Sequence, residues 1–74
     1  MGHHKTDGLT ATQQRILHYI RDTIEDTGDA PTMREISAAV GLRGPSTVQY
    51  QLGELEAKHA IVRERGRPRG IRLT

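Results

Sequence analysis

Between Pro45 and Leu52 the chain reads Pro-Ser-Thr-Val-Gln-Tyr-Gln-Leu. Val48 and Leu52 are apolar and four residues apart, while Ser46, Thr47, Gln49 and Tyr50 can all hydrogen-bond and carry no charge. On a helix advancing about 100° per residue, with Val48, Leu52 and Leu55 turned inward, Ser46 and Tyr50 point almost directly away and Thr47 and Gln49 flank them. Acid appears only later on that side, at Glu54. An uncharged hydrogen-bonding face in the first two turns suits a helix whose N-terminal part enters a DNA major groove. A Gln amide can pair bidentately with adenine, hydroxyls read several base edges, and Thr or Tyr carbon can touch a thymine methyl. The plain alternative is a solvated helix surface, with Tyr50 packed on a neighbouring element.

The charge points the same way. The chain has 74 residues and a net charge of +2. Residues 1–62 carry six cations against eight acids, whereas residues 63–74 carry five Arg against Glu64 alone. Arginine forks suit phosphate oxygens better than lysine does. Arg65, Arg67 and Arg69 alternate with Gly66, Pro68 and Gly70, which makes a basic turn. With Thr32 and Arg34 at the start of a short helix and Arg43 in the turn after it, they form a set able to hold a DNA backbone while the polar face reads bases.

Other chemistries find little purchase. His18 and His59 lie on or beside predicted helices with no nucleophile motif near either, and no Gly-rich phosphate loop follows a strand. There is no cysteine, hence no disulfide or thiol chemistry. His3 and His4 lack further ligands at matching spacing, so neither a metal nor a cofactor is expected. No apolar run reaches membrane-spanning length and no secretory signal appears, so a cytoplasmic setting is expected.

The elements that must position these groups are legible from caps and periodicity. Residues 1–8 are expected to be a disordered leader or tag remnant, and residues 9–74 a single domain. Thr10-x-x-Gln13 is a capping box opening a first helix with Ile16, Leu17, Ile20 and Ile24 on one stripe, stopped by Gly28. Thr32-x-x-Glu35 opens a second, with Ile36, Ala39 and Val40 inward and Gly41 as its end. A third follows Leu42-Arg43, with Pro45 at its first position and Gly44, or in competition Ser46, as cap; it runs to about Lys58. Ile61-Val62 and Ile71-Arg72-Leu73 read as two strands of a hairpin leaning on the helices through Ile61, Ile71 and Leu73. With no Phe or Trp, the core must come from aliphatics with Tyr19 and Met33. Two short helices about a glycine turn, followed by a hairpin, make the fold class mainly α with a small β-hairpin: a winged helix-turn-helix.

Five pieces in order, "LTATQQRILHYI" (9–20), "PTMREIS" (31–37), "VGLRGPSTV" (40–48), "LGELEAKHAI" (52–61) and "RGIRL" (69–73), resemble the N-terminal DNA-binding domain of LexA-type repressors of the bacterial SOS response. The resemblance implies that the third helix reads operator DNA with Gly44, Ser46, Thr47, Gln49 and Tyr50. It implies a wing that follows the backbone through Arg65, Arg67 and Arg69. It further implies palindromic operators bound by dimers, transcriptional repression, and inactivation by RecA-stimulated self-cleavage. The Ser/Lys self-cleaving, dimerising domain is absent from this sequence, so the expectation is a non-enzymatic domain, monomeric in solution and paired on double-stranded DNA. Two departures matter. His59 stands where the family favours Gly, so a different cap is expected there. The hydroxyl, amide and phenol groups at 46–50 replace the acids some members carry, so a different operator is expected, with A and T edges read through Gln49. A winged-helix protein-interaction module docking through Tyr50 is the alternative, and non-specific nucleic-acid binding by the wing a third reading.

Overall fold

Two of the three helices open with the same reciprocal cap, and both were legible in the sequence. In the computed structural model, which describes residues 8–74, α1 spans Ala11–Thr27, α2 Met33–Val40 and α3 Gly44–Ala57, followed by strands β1 (Ile61–Arg63) and β2 (Ile71–Leu73). The leader expected over 1–8 lies outside the described residues except for Gly8. At the start of α1 the Gln13 amide donates to Thr10 Oγ1 (3.1 Å) and the Thr10 amide to Gln13 Oε1 (3.2 Å). At α2 the Glu35 amide donates to Thr32 Oγ1 (3.2 Å) and the Thr32 amide to Glu35 Oε1 (2.9 Å). Each box satisfies orphan donors that the first turn cannot pair internally. Gly28 and Gly41 close α1 and α2 at φ 85° and 74°, a left-handed conformation open to glycine at little cost.

The start of α3 differs by one residue from the sequence expectation. Its hydrogen-bonded turns begin at Gly44, the cap position falls on Arg43, and no side chain caps it. Neither Gly44 nor Ser46 fills that role. Gly44 itself has φ 75°, so the chain turns into the helix through a conformation that a residue with a β-carbon adopts only with strain.

The core forms where the three stripes meet the inner side of the hairpin. Ile16 and Ile20 of α1, Ile36 of α2, and Val48, Leu52 and Leu55 of α3 are fully buried, with Ile61 and Ile71 against them. Tyr19, Met33, Leu17, Ile24 and Leu42 pack around its edge. Two residues expected inside are not: Ala39 is exposed and Leu73 is 37% exposed. Ala39 lies well off the Ile36–Val40 axis and has little surface to bury. Leu73 pairs with Ile61 at the open end of the hairpin, beyond the cover of the helices. The strands are antiparallel in a two-stranded sheet, in the register Ile61–Leu73, Val62–Arg72 and Arg63–Ile71. The architecture is a winged helix-turn-helix.

The end of α3 answers the question raised by His59. The Ala60 amide donates to Leu55 O (2.9 Å) and the His59 amide to Glu56 O (3.0 Å), the two bonds of a Schellman closure. The closure needs a left-handed residue, and His59 adopts it at φ 62°. The cap keeps the geometry glycine would supply and imposes it on histidine. The left-handed conformation costs a residue with a β-carbon about 1–2 kcal/mol, offset in part by the greater freedom of an unfolded glycine. His59→Gly is therefore expected to stabilise the domain by roughly 0.5–1 kcal/mol, read as a higher urea midpoint at unchanged slope. An unchanged or lower midpoint would show that the imidazole makes a compensating contact.

Candidate nucleic-acid interface

The helical wheel drawn from sequence holds in three dimensions. Val48, Leu52 and Leu55 have no solvent exposure, while Ser46, Thr47, Gln49 and Tyr50 are all exposed, Tyr50 at 64%. Gly44, the remaining residue of the expected base-reading set, is exposed at the left-handed entry to the helix. Tyr50 packs on nothing in the core. The first two turns of α3 thus offer two hydroxyls, an amide and a phenol on one solvent-facing side.

Long-range and turn hydrogen bonds, most of them partly buried, fix how that face is presented. In the turn between α2 and α3 the Leu42 amide donates to Ser37 O (3.0 Å) and Ser37 Oγ donates back to Leu42 O (2.8 Å). Arg15 of α1 donates to Val40 O (3.1 Å), holding a last carbonyl of α2. Gln13 is 3% exposed; its Nε2 donates to Gln51 Oε1 (3.0 Å) and its Oε1 accepts from Lys58 Nζ (2.7 Å). Lys58 also donates to Gly8 O at 2.6 Å. The back of α3 is thereby tied to α1 at two points one helical stretch apart, through polar groups that would be costly to bury unpaired.

The hairpin brings a second set together. A cleft of about 350 Å³ between the wing and the start of α2 is lined by Thr32, Arg34, Arg63, Arg65 and Arg67. Arg65 reaches Glu56 at 3.7 Å and Arg67 reaches Glu64 at 3.8 Å, with the arginine side chains about three-quarters exposed. Such pairs are weak and screened, so a phosphate can displace them. Arg34, Arg43 and Arg63 make no ion pair with any described residue. Arg63 was not singled out from the sequence. The signal was available, since strand alternation puts it on the side of Ile61, and an arginine on that side of a small hairpin must find an opening at its edge.

Arg69 stands apart from the other wing arginines. Its Nη1 donates to Glu35 Oε1 (2.9 Å) and to Ala30 O (3.0 Å), and its Nη2 donates to Glu35 Oε2 (3.1 Å). This is a two-pronged pair with a third bond into the loop before α2. The hydrogen bond from Arg69, aided by the Thr32 amide, holds the Glu35 carboxyl below its usual pKa, and Glu35 raises that of Arg69. A lowered carboxyl pKa stabilises the fold fully above the unfolded value, and that stabilisation fades as pH falls through the folded one. Arg69 therefore has protein partners where the sequence reading gave it a phosphate.

A further groove, of about 970 Å³, lies elsewhere. Asp22, Glu25, Asp26, Asp29 and Glu35 line it with Arg69, and its acids would repel a phosphate backbone. No group of acids, histidines or cysteines able to hold a metal occurs among the described residues. No helix among them is long and apolar enough to cross a membrane.

A family profile described as LexA DNA binding domain matches residues 6–70. The chain is 51% identical over 69 residues to a LexA repressor of Aromatoleum aromaticum, covering 93% of this chain and 34% of that protein. It is 48% identical to a LexA repressor of a Nocardioides species (89% and 27%) and 47% identical to that of Lactobacillus acidophilus (84% and 30%). The chain spans about a third of the length of these relatives.

Proposed function

The chain belongs to the LexA DNA-binding domain family, and on that premise we propose that it binds double-stranded operator DNA as the reading head of a transcriptional repressor of SOS genes. The observation that carries this is the outer face of α3: Ser46, Thr47, Gln49 and Tyr50 exposed, opposite a seam with no exposure at all. In this reading those four, with Gly44 allowing close approach, contact base edges in the major groove. Thr32, Arg34, Arg43, Arg65 and Arg67 hold phosphates, joined by Arg63 at the base of the wing cleft. Operators are palindromic, with half-sites a fixed spacing apart, and two copies of the domain pair on them. In this reading the whole repressor dimerises and is inactivated by RecA-triggered self-cleavage.

Selection of bound duplexes from a random pool, then anisotropy titration of the winner and a scrambled duplex at two salt concentrations, tests the reading. A palindromic winner bound far more tightly than the scramble is the expected result. Equal, salt-sensitive affinity would leave only the basic wing in contact, and no binding at low salt would favour a protein-docking role for Tyr50. Gln49→Ala is expected to cost roughly 1–2 kcal/mol on the selected site, within the range of one bidentate base contact, and little on the scramble. An unchanged preferred sequence for that variant would remove Gln49 from the base-reading set.

A further inference from the structure

We infer that the Arg69–Glu35 clamp is a positioning device that seats the wing against the start of α2, so that Arg69 supports DNA binding without touching DNA. The inference rests on the DNA-binding reading above. Arg69 lies on the returning limb of the wing, 34 residues from Glu35 in sequence, and both terminal nitrogens of its fork are engaged, by one carboxylate and one loop carbonyl. Glu35 is also the reciprocal capping residue of α2. One acidic side chain thus organises the helix start and the wing limb that together wall the cleft containing Arg34, Arg63, Arg65 and Arg67. An acid beside a phosphate site is otherwise a liability, and Arg69 answers it by neutralising that charge. Without the clamp the hairpin persists, held by its own ladder and by Ile61 and Ile71. It is less firmly aimed, so the phosphate contacts form only after an ordering step that the intact protein has already made.

Glu35→Gln separates the possibilities, because glutamine can still cap α2 but lacks the charge and the second acceptor. If Arg69 is a positioning residue, Glu35→Gln and Arg69→Gln each weaken affinity for the selected duplex by about three- to tenfold, and the double variant is no weaker than either single one. The salt slope stays that of the wild type, since no phosphate contact is lost. Arg69→Lys, which keeps the charge but not the fork, is weakened as well. If Arg69 instead binds a phosphate, Arg69→Gln lowers the salt slope by about 0.9, Arg69→Lys binds nearly normally, and Glu35→Gln binds as well as the wild type or better. That pattern, or unchanged affinity in all variants, overturns the inference. Thermal melts run alongside confirm that each variant is folded; should Arg69→Gln be unfolded, the opposite signs expected for Glu35→Gln still decide. A wild-type domain with no salt-dependent duplex affinity would instead mark failure of the DNA-binding reading itself.

Discussion

Leu52→Ala is expected to remove roughly 2–5 kcal/mol of folding stability, the range for deleting a buried leucine whose site cannot fully collapse. Leu52 has no exposure and sits midway along the α3 seam between Val48 and Leu55, equally buried. Its neighbours belong to different elements, so no single one can shift to fill the gap without disturbing the others. The reserve against such a loss is small. A domain of this size supports only a few kcal/mol from its core, and this one has no Phe or Trp with which to bury large areas. The variant should therefore be substantially unfolded near 37 °C and lose DNA binding entirely, although Leu52 faces away from the proposed groove contacts. Urea unfolding followed by circular dichroism measures the loss. A cost below about 1 kcal/mol would mean that the core tolerates repacking and that α3 is held chiefly by its polar ties to α1. Gln49→Ala, three residues earlier on the exposed face, is the internal contrast: it should melt like the wild type while losing sequence preference.

That contrast also shows which parts of the molecule are written locally. Both capping boxes, the glycine stops of α1 and α2 and the exposed face of α3 depend on residues within four positions of one another, and periodicity or cap chemistry exposes them. Periodicity says which side of an element is apolar but not where cover ends, which is why Ala39 and Leu73, on the sides expected to face inward, lie at the surface. Long-range pairings have no such local mark. Gln13 with Gln51 and Lys58, Arg15 with Val40, and Arg69 with Glu35 join residues 25 to 45 positions apart, and nothing in their spacing announces the partner. Composition alone groups Arg69 with Arg65 and Arg67; only the docking of the wing onto α2 separates an arginine held in a two-pronged pair from two that are weakly paired. His59 is the intermediate case, where the sequence shows an unusual residue at a helix end and the structure shows that the backbone keeps its turn regardless.

Gly70→Ala is expected to break the wing, at a cost of about 3 kcal/mol, the upper part of the range for overpacking a filled site. Gly70 is buried between the limbs of the hairpin, where its carbonyl accepts from the Glu64 amide at 2.6 Å and its amide donates to Arg67 O at 3.2 Å. A β-carbon at this position would overlap the Glu64 carbonyl oxygen and press on both Arg67 Cβ and Arg67 O, at 3.1 Å each. The demand for glycine is one of space, unlike that at Gly66 in the tip, where φ 84° makes it conformational. Because the obstacle is backbone, no rotamer change relieves it, and the limbs must part. The tip carrying Arg65 and Arg67 then loses its template, and Arg69 is drawn from Glu35. Unlike loss of the clamp alone, which leaves the hairpin able to form, this change removes the phosphate contacts themselves. Affinity should fall for selected and scrambled duplexes alike, and the salt slope should drop by nearly two, about 0.9 for each of the two arginines displaced. Base preference should survive in what binding remains, since α3 keeps its seam and its outer face. Anisotropy titrations across a salt series on both duplexes measure all three quantities. A Gly70→Ala domain with the wild-type slope would show that the wing arginines do not touch the DNA backbone, and would leave Arg34 and Arg43 to hold it.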